Sequence, residues 1–264
     1  MARVIAGVEQ ATQGSIKLMD EEIAHLTSSK RKAIYKNMQM IFQNAIDVIS
    51  PRMKIKTFLL EPLINYKMMS KQMALLYVVK ILKKVRLTEE VLEKYPHQLS
   101  GGELQRVCIA RAFSLNPKVL ICDEITSALD VSVQDDVMKL FIEMQKEYGT
   151  ACLFICHDLA LVSQYTERVM VMYLGHIVEV LESYKLGSKA LHPYTQSLMQ
   201  SVLYLDTNRD RKIKTIEGEP GHPAQMTTVC PFCMRCSKAT SRCYKENPKL
   251  KKIGQRHCVA CFEV

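Results

Sequence analysis

Residues 99–130 read LSGGELQRVCIARAFSLNPKVLICDEITSALD, and this stretch decides the fold. Ser100 can cap a helix that opens at the glycine pair and runs from about Glu103 to Leu115, where an Asn-Pro dipeptide stops it. The continuous apolar run from Val119 is bounded by turn residues, which is typical of a parallel strand covered on both faces. The order of helix, turn and buried strand therefore predicts an α/β sheet.

The same alternation continues on both sides of this stretch and favours a parallel α/β architecture. Residues 1–18 read as the end of a helix, a turn and a strand. Apolar residues at helical spacing make residues 44–97 mostly helical, with a stripe more typical of core than of cofactor contacts. The remaining predicted elements are the strands Met38–Phe42, Ala151–Cys156, Val169–Tyr173 and Ile177–Leu181 and the helices from about Val131 to Tyr148 and from Leu159 to Tyr165.

Composition bounds the class of protein. The 264 residues are 48% hydrophobic and 24% charged, as in a globular chain with a substantial core, and the net charge is +9. The basic residues lie in scattered runs, so a solvated surface is favoured over nucleic-acid binding. No stretch approaches the ~20 apolar residues that span a bilayer, and no signal peptide is visible. A shift in composition predicts a domain boundary near residue 185, between domains 1–185 and 186–264.

The glycine pair at the start of the predicted helix is a candidate phosphate site. Gly101 and Gly102 let backbone amides approach a ligand closely, and the helix directs its positive end to the same spot. Taken alone, the motif also fits a plain glycine-rich helix start. The acids that follow downstream favour the phosphate.

Two adjacent acids, Asp123 and Glu124, stand at the carboxyl end of the predicted central strand. In such an arrangement the first acid can hold Mg²⁺ and the second can polarise an attacking water. Gln43 and His157 also follow strands, which adds an amide and an imidazole to the candidate site. Taken singly, the acids also fit a solvated turn, and His157 also fits a structural role.

Taken together and in this order, the amide, LSGGE, the acid pair, SALD and the imidazole resemble the ATP-binding-cassette (ABC) ATPases over essentially residues 1–183. Within that family, LSGGELQRVCIARA and DEITSALDVSVQ look like the subunits of oligopeptide, dipeptide and nickel importers. The HPYT segment at 192–195, the GEP at 218–220 and the cysteine-rich tail resemble the extension of those subunits. The implied fold is a P-loop NTPase-like α/β domain with a helical subdomain at about 45–97 and a small C-terminal extension.

The resemblance implies a mechanism in which two subunits pack head to tail around ATP and Mg²⁺. It implies that Glu124 is the general base, Asp123 the Mg²⁺ ligand and His157 the γ-phosphate sensor. It also implies that Gln43 links the metal to a permease and that Asp130 makes a contact across the dimer. The signature residues that close over the partner's nucleotide are Ser100, Gly101, Gly102 and Glu103.

Three departures from the family pattern stand out. Ile125 replaces the usual proline, and Glu103 replaces the commoner glutamine, as in the importer branch. The sequence has no G-x-x-x-x-G-K-[ST] loop, which Met1 would directly follow, so we expect a fragment or a mis-set start rather than a degenerate subunit. That loop supplies several charge-assisted phosphate bonds of about 1.5–3 kcal/mol each, so the chain alone is expected to bind ATP about a thousandfold more weakly than a full-length relative.

The ten cysteines divide into two groups. Four are expected to be buried thiols: Cys108, Cys122, Cys152 and Cys156. Six fall between Cys230 and Cys261, and in a reducing compartment this clustering favours a metal or iron–sulfur centre over disulfides. Spacing alone resembles a ferredoxin run or a zinc knuckle, whereas the importer resemblance implies a quartet that holds [4Fe–4S] or, alternatively, Zn²⁺. The implied ligands are Cys230, Cys236, Cys243 and Cys261, which leaves Cys233 and Cys258 spare.

Two functional hypotheses follow. The first is an ATP-hydrolysing subunit that energises an importer for oligopeptides, dipeptides or nickel. Its partners would be a second ABC ATPase subunit (identical or paralogous), two membrane permeases and, indirectly, an extracytoplasmic substrate-binding protein. The second is a non-catalytic subunit that supplies only the signature half-site and permease contacts. Either would lie peripherally on the cytoplasmic face of the membrane, and action on nucleic acid is disfavoured by the HPYT segment and the cysteine tail.

Overall fold

The computed structural model describes residues 1–26, 28–201, 218–219 and 228–264. The chain forms two compact units, Met1–His157 and Asp158–Val264. The boundary predicted near residue 185 rests on composition and stays a prediction, because composition and compactness divide a chain by different criteria. Within the described residues, no helix combines the length and the apolarity needed to cross a membrane.

A parallel sheet lies at the centre of the first unit. Its strands, in spatial order, are β3 (Met38–Ile41), β4 (Val119–Asp123) and β5 (Ala151–Ile155). Met38 pairs with Val119, and Val119 pairs with Ala151, so the three strands start in step. The middle residues of β4 (120–122) have no exposed surface, as expected for a strand covered on both faces.

The helices of this unit are α1 (Ala2–Ile5), α2 (Ser28–Asn37), α3 (Ala45–Val48), α4 (Ile55–Asn65), α5 (Lys71–Lys84), α6 (Gly101–Ser114) and α7 (Val131–Tyr148). Helices α2 and α6 pack against the sheet. A hairpin of β1 (Lys17–Leu18) and β2 (Glu21–Glu22) and two 3₁₀ turns, Glu89–Glu93 and Pro96–Gln98, complete the unit. The predicted helical region 44–97 is thus three helices and two short turns. The helix predicted from about Glu103 begins at Gly101, because Ser100 caps it there.

Helix α6 packs into the core of this unit, against α4, α5 and α7. Its buried face includes Val107, Ile109 and Phe113, none of which is exposed. The Phe113 ring lies 5.7 Å from the ring of Phe141 on α7, centroid to centroid. Burying a side chain of this size contributes about 1.5–3 kcal/mol, so α6 is firmly fixed in the core.

The second unit holds an antiparallel sheet. In spatial order its strands are β6 (Arg168–Tyr173), β7 (His176–Glu182), β9 (His257–Val259) and β8 (Lys251–Gly254). Its helices are α8 (Leu159–Tyr165), α9 (Leu186–Lys189) and α10 (Pro193–Ser201). Helices α7 and α8 have the bounds that the sequence predicts. Strands β8 and β9 add the end of the chain to the sheet of β6 and β7. The sequence does not predict them, because it has no regular hydrophobic pattern there.

The prediction that four cysteines of the α/β region are buried is wrong for two of them. Cys108 and Cys122 are buried, whereas Cys152 is exposed and Cys156 is half-buried. The reason is the position of β5, which lies at the edge of the described sheet and has only β4 as a neighbour. An apolar run therefore indicates a strand, but it does not show how much of that strand is covered.

Candidate functional site

Three polar side chains follow the carboxyl ends of the three parallel strands. Gln43 lies two residues after β3, Glu124 directly after β4 and His157 two residues after β5. Because the strands run in parallel and start in step, their carboxyl ends meet at one edge of the sheet. The fold thus brings together residues that are far apart in sequence, as the carboxyl-end rule for open α/β sheets leads one to expect.

Glu124 is the centre of this strand-end cluster. Gln43 donates from Nε2 to Glu124 Oε2 at 2.6 Å, and His157 Nδ1 lies 3.6 Å from Glu124 Oε1. The His157 side chain is 74% exposed and that of Glu124 is 28% exposed. Each carboxylate oxygen therefore meets one side chain and keeps capacity for a further donor or a cation.

The backbone of Glu124 has an unusual conformation. Its φ is +49°, in the left-handed region that residues other than glycine rarely occupy. Its N–H donates to the carbonyl of Ile155 at 2.9 Å, and Ser127 donates to its carbonyl from N at 3.1 Å and from Oγ at 2.9 Å. Strain of roughly 1–3 kcal/mol held in this way by the surroundings is common at functional sites.

The signature segment forms a second set of candidate residues, at the start of α6. Ser100 Oγ accepts from the N–H of Glu103 at 3.3 Å, and the Glu103 carboxylate accepts from the N–H of Ser100 at 2.9 Å and from its hydroxyl at 2.8 Å. These reciprocal bonds are a capping box. The N–H and the hydroxyl of Ser100 hold the pKa of Glu103 below its usual value, because both donate to its carboxylate.

The two signature glycines differ in what the fold requires of them. A Cβ on Gly102 would lie 2.7 Å from Cγ1 of Val133 on α7, so packing within the chain excludes a side chain there. A Cβ on Gly101 would make only an ordinary 3.5 Å contact with Leu129. Packing within the chain therefore explains why residue 102 is a glycine. It does not explain the glycine at 101, where the close approach of a ligand is the remaining explanation.

The two remaining predicted site residues flank these sets. Asp123 is the last residue of β4, half-buried beside Glu124. Asp130 is the N-cap residue of α7; it is exposed, and its side chain makes no capping bond to the helix. Its neighbour Leu129 is the residue that Gly101 approaches, so the SALD segment lies against the start of the signature helix.

The cysteine tail belongs to the second unit. Burial raises the pKa of Cys230 to about 11, and the neighbouring thiols, Cys243 first among them, add to this shift. Burial also raises the pKa of Cys236 and of Cys261, with further contributions from nearby thiols that include Cys243 in both cases. The four predicted ligands are thus neighbours, but Cys233 is also close to Cys243 and is not set apart as a spare residue.

These thiols do not stand in a metal-holding arrangement. In the part of the chain that the structure describes, no three His, Cys, Asp or Glu side chains are placed to ligate one ion. Protonated, partly buried thiols would have to lose protons and converge before a metal could bind. The donor chemistry suits a soft metal or an iron–sulfur centre, whereas the described geometry does not fit one.

The second unit also contains a buried carboxyl group that the sequence did not predict. Glu179 on β7 has no exposed surface, and it accepts from the N–H of Leu191 at 2.8 Å and of His192 at 3.1 Å. It also lies 2.8 Å from Nε2 of His257 on β9. We refer to these four residues as the Glu179 cluster. An acid within the apolar run of β7, together with the HPYT segment, is the sequence signal that could have found it.

The fold is that of the ATP-binding-cassette class, as comparison with known proteins shows. The profile of the ABC transporter family matches residues 1–127, and that of the oligopeptide/dipeptide transporter C-terminal region matches residues 178–243. The chain belongs to the family of ABC transporter ATP-binding proteins. The HPYT segment lies inside the second match.

Among its relatives, the oligopeptide transport ATP-binding protein OppF of Escherichia coli is 40% identical over all of this chain and 79% of its own length. The di/tripeptide transport ATP-binding protein DppF of Pseudomonas aeruginosa is 38% identical over 99% of this chain and 80% of its own length. The structure is similar to the ATP-binding cassette MJ0796 bound to ADP and Pi, with a TM-score of 0.62 and 25% identity over 69% of this chain and 78% of that one. It is also similar to cbiO1 of Clostridium perfringens, with a TM-score of 0.63 and 26% identity over 71% and 73% of the two chains. These likenesses confirm the predicted P-loop NTPase-like α/β fold of the cassette family.

Proposed function

We propose that this chain is an ATPase subunit that energises an ABC importer for oligopeptides or dipeptides. The names of its relatives supply the substrate class, and the observation that carries the proposal is the strand-end cluster of Gln43, Glu124 and His157. Nickel, which the sequence resemblance also implies, stays a prediction.

In this proposal the strand-end cluster serves one nucleotide. Glu124 is the general base, because it has unfilled hydrogen-bonding capacity at the edge where the strands end. Asp123 supplies the carboxylate for Mg²⁺, and the amide oxygen of Gln43 suits the same hard cation. His157 contacts the γ-phosphate with its exposed ring. Bound Mg²⁺ would neutralise charge on the phosphates; the chain's own residues position the water and accept its proton.

The signature segment serves the nucleotide of a second ABC ATPase subunit, which is either identical or a paralogue. Ser100, Gly101 and Gly102 present donors at the N-terminus of the 14-residue helix α6, which favours an anion. Glu103 shapes this end through its bonds to Ser100. Asp130, exposed beside Leu129, makes the contact across the dimer.

Helices α3 to α5 contact the membrane permeases. They expose large apolar side chains: Ile46 is 58% exposed, Ile64 41%, Met73 58% and Leu76 61%. These side chains are available to a protein interface, which is expected to cover them together. The subunit would then lie on the cytoplasmic face of the membrane, held by two permeases, and an extracytoplasmic binding protein would select the peptide.

A second function is a subunit that contributes only the signature half-site. The capped start of α6, whose capping bonds run between Ser100 and Glu103, favours it. The two functions differ in which variants matter. If the chain catalyses, Glu124→Gln and Ser100→Arg both reduce ATP turnover of the assembled transporter, by about a hundredfold for the loss of a general base. If it supplies only the half-site, Ser100→Arg alone does so.

The test uses the chain co-purified with its second ATPase subunit and permeases, reconstituted into liposomes. Peptide-stimulated ATP turnover is measured for the wild type, E124Q, S100R and E90Q, the last of which removes an exposed charge from the 3₁₀ turn Glu89–Glu93. We expect E90Q to retain wild-type turnover. Wild-type turnover in both E124Q and S100R would refute both functions. Reduced co-purification of Leu76→Asp with the permeases tests the proposed interface separately.

The metal of the cysteine tail has its own test. The importer resemblance predicts that anaerobically purified chain shows iron–sulfur charge-transfer absorbance, which would require the thiols of the tail to converge from their described positions. Cys243→Ser should then remove the absorbance, because Cys243 contributes to the raised pKa of each of the other three predicted ligands. Cys258→Ser is the matched control. If the purified chain contains stoichiometric zinc and shows no visible absorbance, the site binds zinc rather than an iron–sulfur cluster. If it contains neither zinc nor iron, the proposal of a metal site is wrong.

A further inference from the structure

One carboxylate oxygen of Glu103 occupies both donors of Ser100. The N–H of Ser100 donates to Glu103 Oε2 at 2.9 Å, and its hydroxyl donates to the same atom at 2.8 Å. Both groups point at an internal anion before any ligand arrives. The Glu103 carboxylate is ionised at neutral pH, and these two bonds lower its pKa further.

A phosphate at the start of α6 would need the same donors. It would also bring its own negative charge to within a few ångströms of the Glu103 carboxylate, and like charges at this distance repel. A glutamine at this position could accept from the N–H of Ser100 through its amide oxygen, but it would add no charge. The difference between the two residues is therefore electrostatic rather than steric.

We propose that Glu103 is an internal competitor for the signature, which an incoming phosphate must displace from Ser100. This inference rests on the proposed function of the signature segment and adds a residue that sets its affinity. Glu103 is a positioning residue: it acts through Ser100 and weakens phosphate binding in exchange for a capped, ordered helix start. Closure over the partner's nucleotide then requires the capping box to open at the side of Glu103.

A helix cap alone is the simpler explanation of the same bonds. It predicts that any change at Glu103 loosens the start of α6 and weakens ligand binding. Competition predicts the opposite sign, because removal of the charge frees the hydroxyl of Ser100 for the ligand. The sign of the effect therefore separates the two explanations.

The experiment measures phosphate binding directly and needs no catalytic turnover. The full chain is labelled with ¹⁵N-glycine, which restricts the spectrum to ten residues, and sodium triphosphate is titrated in at low salt. Gly101→Ala, whose Cβ would make only an ordinary contact, assigns the Gly101 signal. The wild type is compared with E103Q, E103A and E90Q, and circular dichroism checks that each variant is folded.

We expect E103Q to bind triphosphate about three- to fivefold more tightly than the wild type at the Gly101 and Gly102 signals, the size of one exposed charge interaction. The advantage should shrink as salt is added, because the charges are near the surface. E103A should change affinity in the same direction. E90Q, which removes the same charge from an exposed position elsewhere, should match the wild type.

Unchanged or weaker binding by both E103Q and E103A overturns the competition and leaves the signature as a phosphate site. Equal gains for E103Q and E90Q overturn it as well, because net charge alone would then explain them. If no variant, the wild type included, shifts the Gly101 and Gly102 signals, the start of α6 does not bind phosphate by itself and the competition is overturned; S100R in the assembled transporter tests the proposed function of the signature separately.

Discussion

Two glutamates, one in each unit, collect partners from distant parts of the sequence, and they do so for different ends. Glu124 is 28% exposed and meets two side chains, one of them His157, which is itself largely exposed. Glu179 is fully buried and has two backbone donors and an imidazole around it. Residue type and long-range contact are the same in both; exposure and the nature of the donors differ.

The difference is the one expected between a carboxyl group that reacts, as proposed for Glu124, and one that holds a fold. Two of the three partners of Glu179 are backbone N–H groups, and neither oxygen is exposed to an incoming ligand, because the residue has no exposed surface. Glu124 keeps spare capacity and sits on a strained φ, which costs stability that packing elsewhere supplies. A buried, satisfied acid therefore indicates structure, and a half-exposed, strained acid with movable partners indicates chemistry.

The largest expected effect would come from removing the buried acid. Glu179→Ala leaves the N–H groups of Leu191 and His192 and the ring of His257 without an acceptor, which should lower the free energy of unfolding of the second unit by about 3–5 kcal/mol. Glu124→Ala should change stability by less than about 1 kcal/mol. Urea denaturation with hydrogen exchange of peptides from β7 and α10 measures both.

Glu179→Gln is the matched control for this prediction. It keeps the shape and one acceptor oxygen, so its cost should fall between those of the wild type and the alanine variant. The comparison breaks if Glu124→Ala destabilises as much as Glu179→Ala, because the exposed glutamate would then be structural too.

His192 should make the second unit sensitive to pH. Burial lowers its pKa from 6.5 to about 4, and the nearby Glu179 only partly offsets this. The unfolded chain therefore takes up a proton below pH 6.5 that the folded chain excludes, so the stability contributed by neutral His192 is complete above pH 6.5 and declines as pH falls. Between pH 7 and pH 5 the loss should reach about 2 kcal/mol.

His192→Asn isolates this effect, because an asparagine oxygen can still accept from the N–H of Tyr194, as Nδ1 of His192 does. Acids elsewhere titrate equally in both proteins, so the difference between their stability curves belongs to His192. Parallel curves from pH 7 to pH 5 would show that the ring is not kept neutral in the folded unit.

The strand-end cluster could be predicted from the sequence, whereas the Glu179 cluster could not. Apolar runs locate β3, β4 and β5, and parallel strands bring their carboxyl ends to one edge, so Gln43 and Glu124 meet by a general rule. The Glu179 cluster depends on the pairing of β9 with β7, and no hydrophobic periodicity in the sequence predicts that pairing. Antiparallel pairing of short strands is chosen by tertiary contacts rather than by local pattern.

The cysteine tail shows the same limit in another form. Sequence spacing identifies six thiols in one region, and the structure makes several of them neighbours of Cys243. Which of them would converge on a metal depends on turns without regular structure, where spacing does not determine distance. The resemblance implies four ligands, but the structure does not distinguish these four cysteines from Cys233, which is also close to Cys243.

A smaller effect, of opposite sign, is expected at Glu124 itself. Asparagine tolerates a positive φ better than glutamate does, so Glu124→Asn should raise the free energy of unfolding of the first unit by about 0.5–1 kcal/mol. ATP turnover of the assembled transporter should fall at the same time. A destabilised Glu124→Asn variant would show that the carboxylate contributes more to the fold than its strain removes.

The smallest effect on stability should come from His157→Ala. The ring is 74% exposed and its Nδ1 lies 3.6 Å from Glu124 Oε1, a contact worth less than about 0.5 kcal/mol. Its removal should leave urea denaturation unchanged, yet reduce turnover of a transporter in which the strand-end cluster acts on nucleotide. His176→Ala in β7 serves as a histidine control outside the cluster, with turnover expected to match the wild type. Loss of stability in His157→Ala would mean that His157 supports the turn at Glu124. One of the two side chains that contact Glu124 would then be structural, which would weaken the contrast with Glu179.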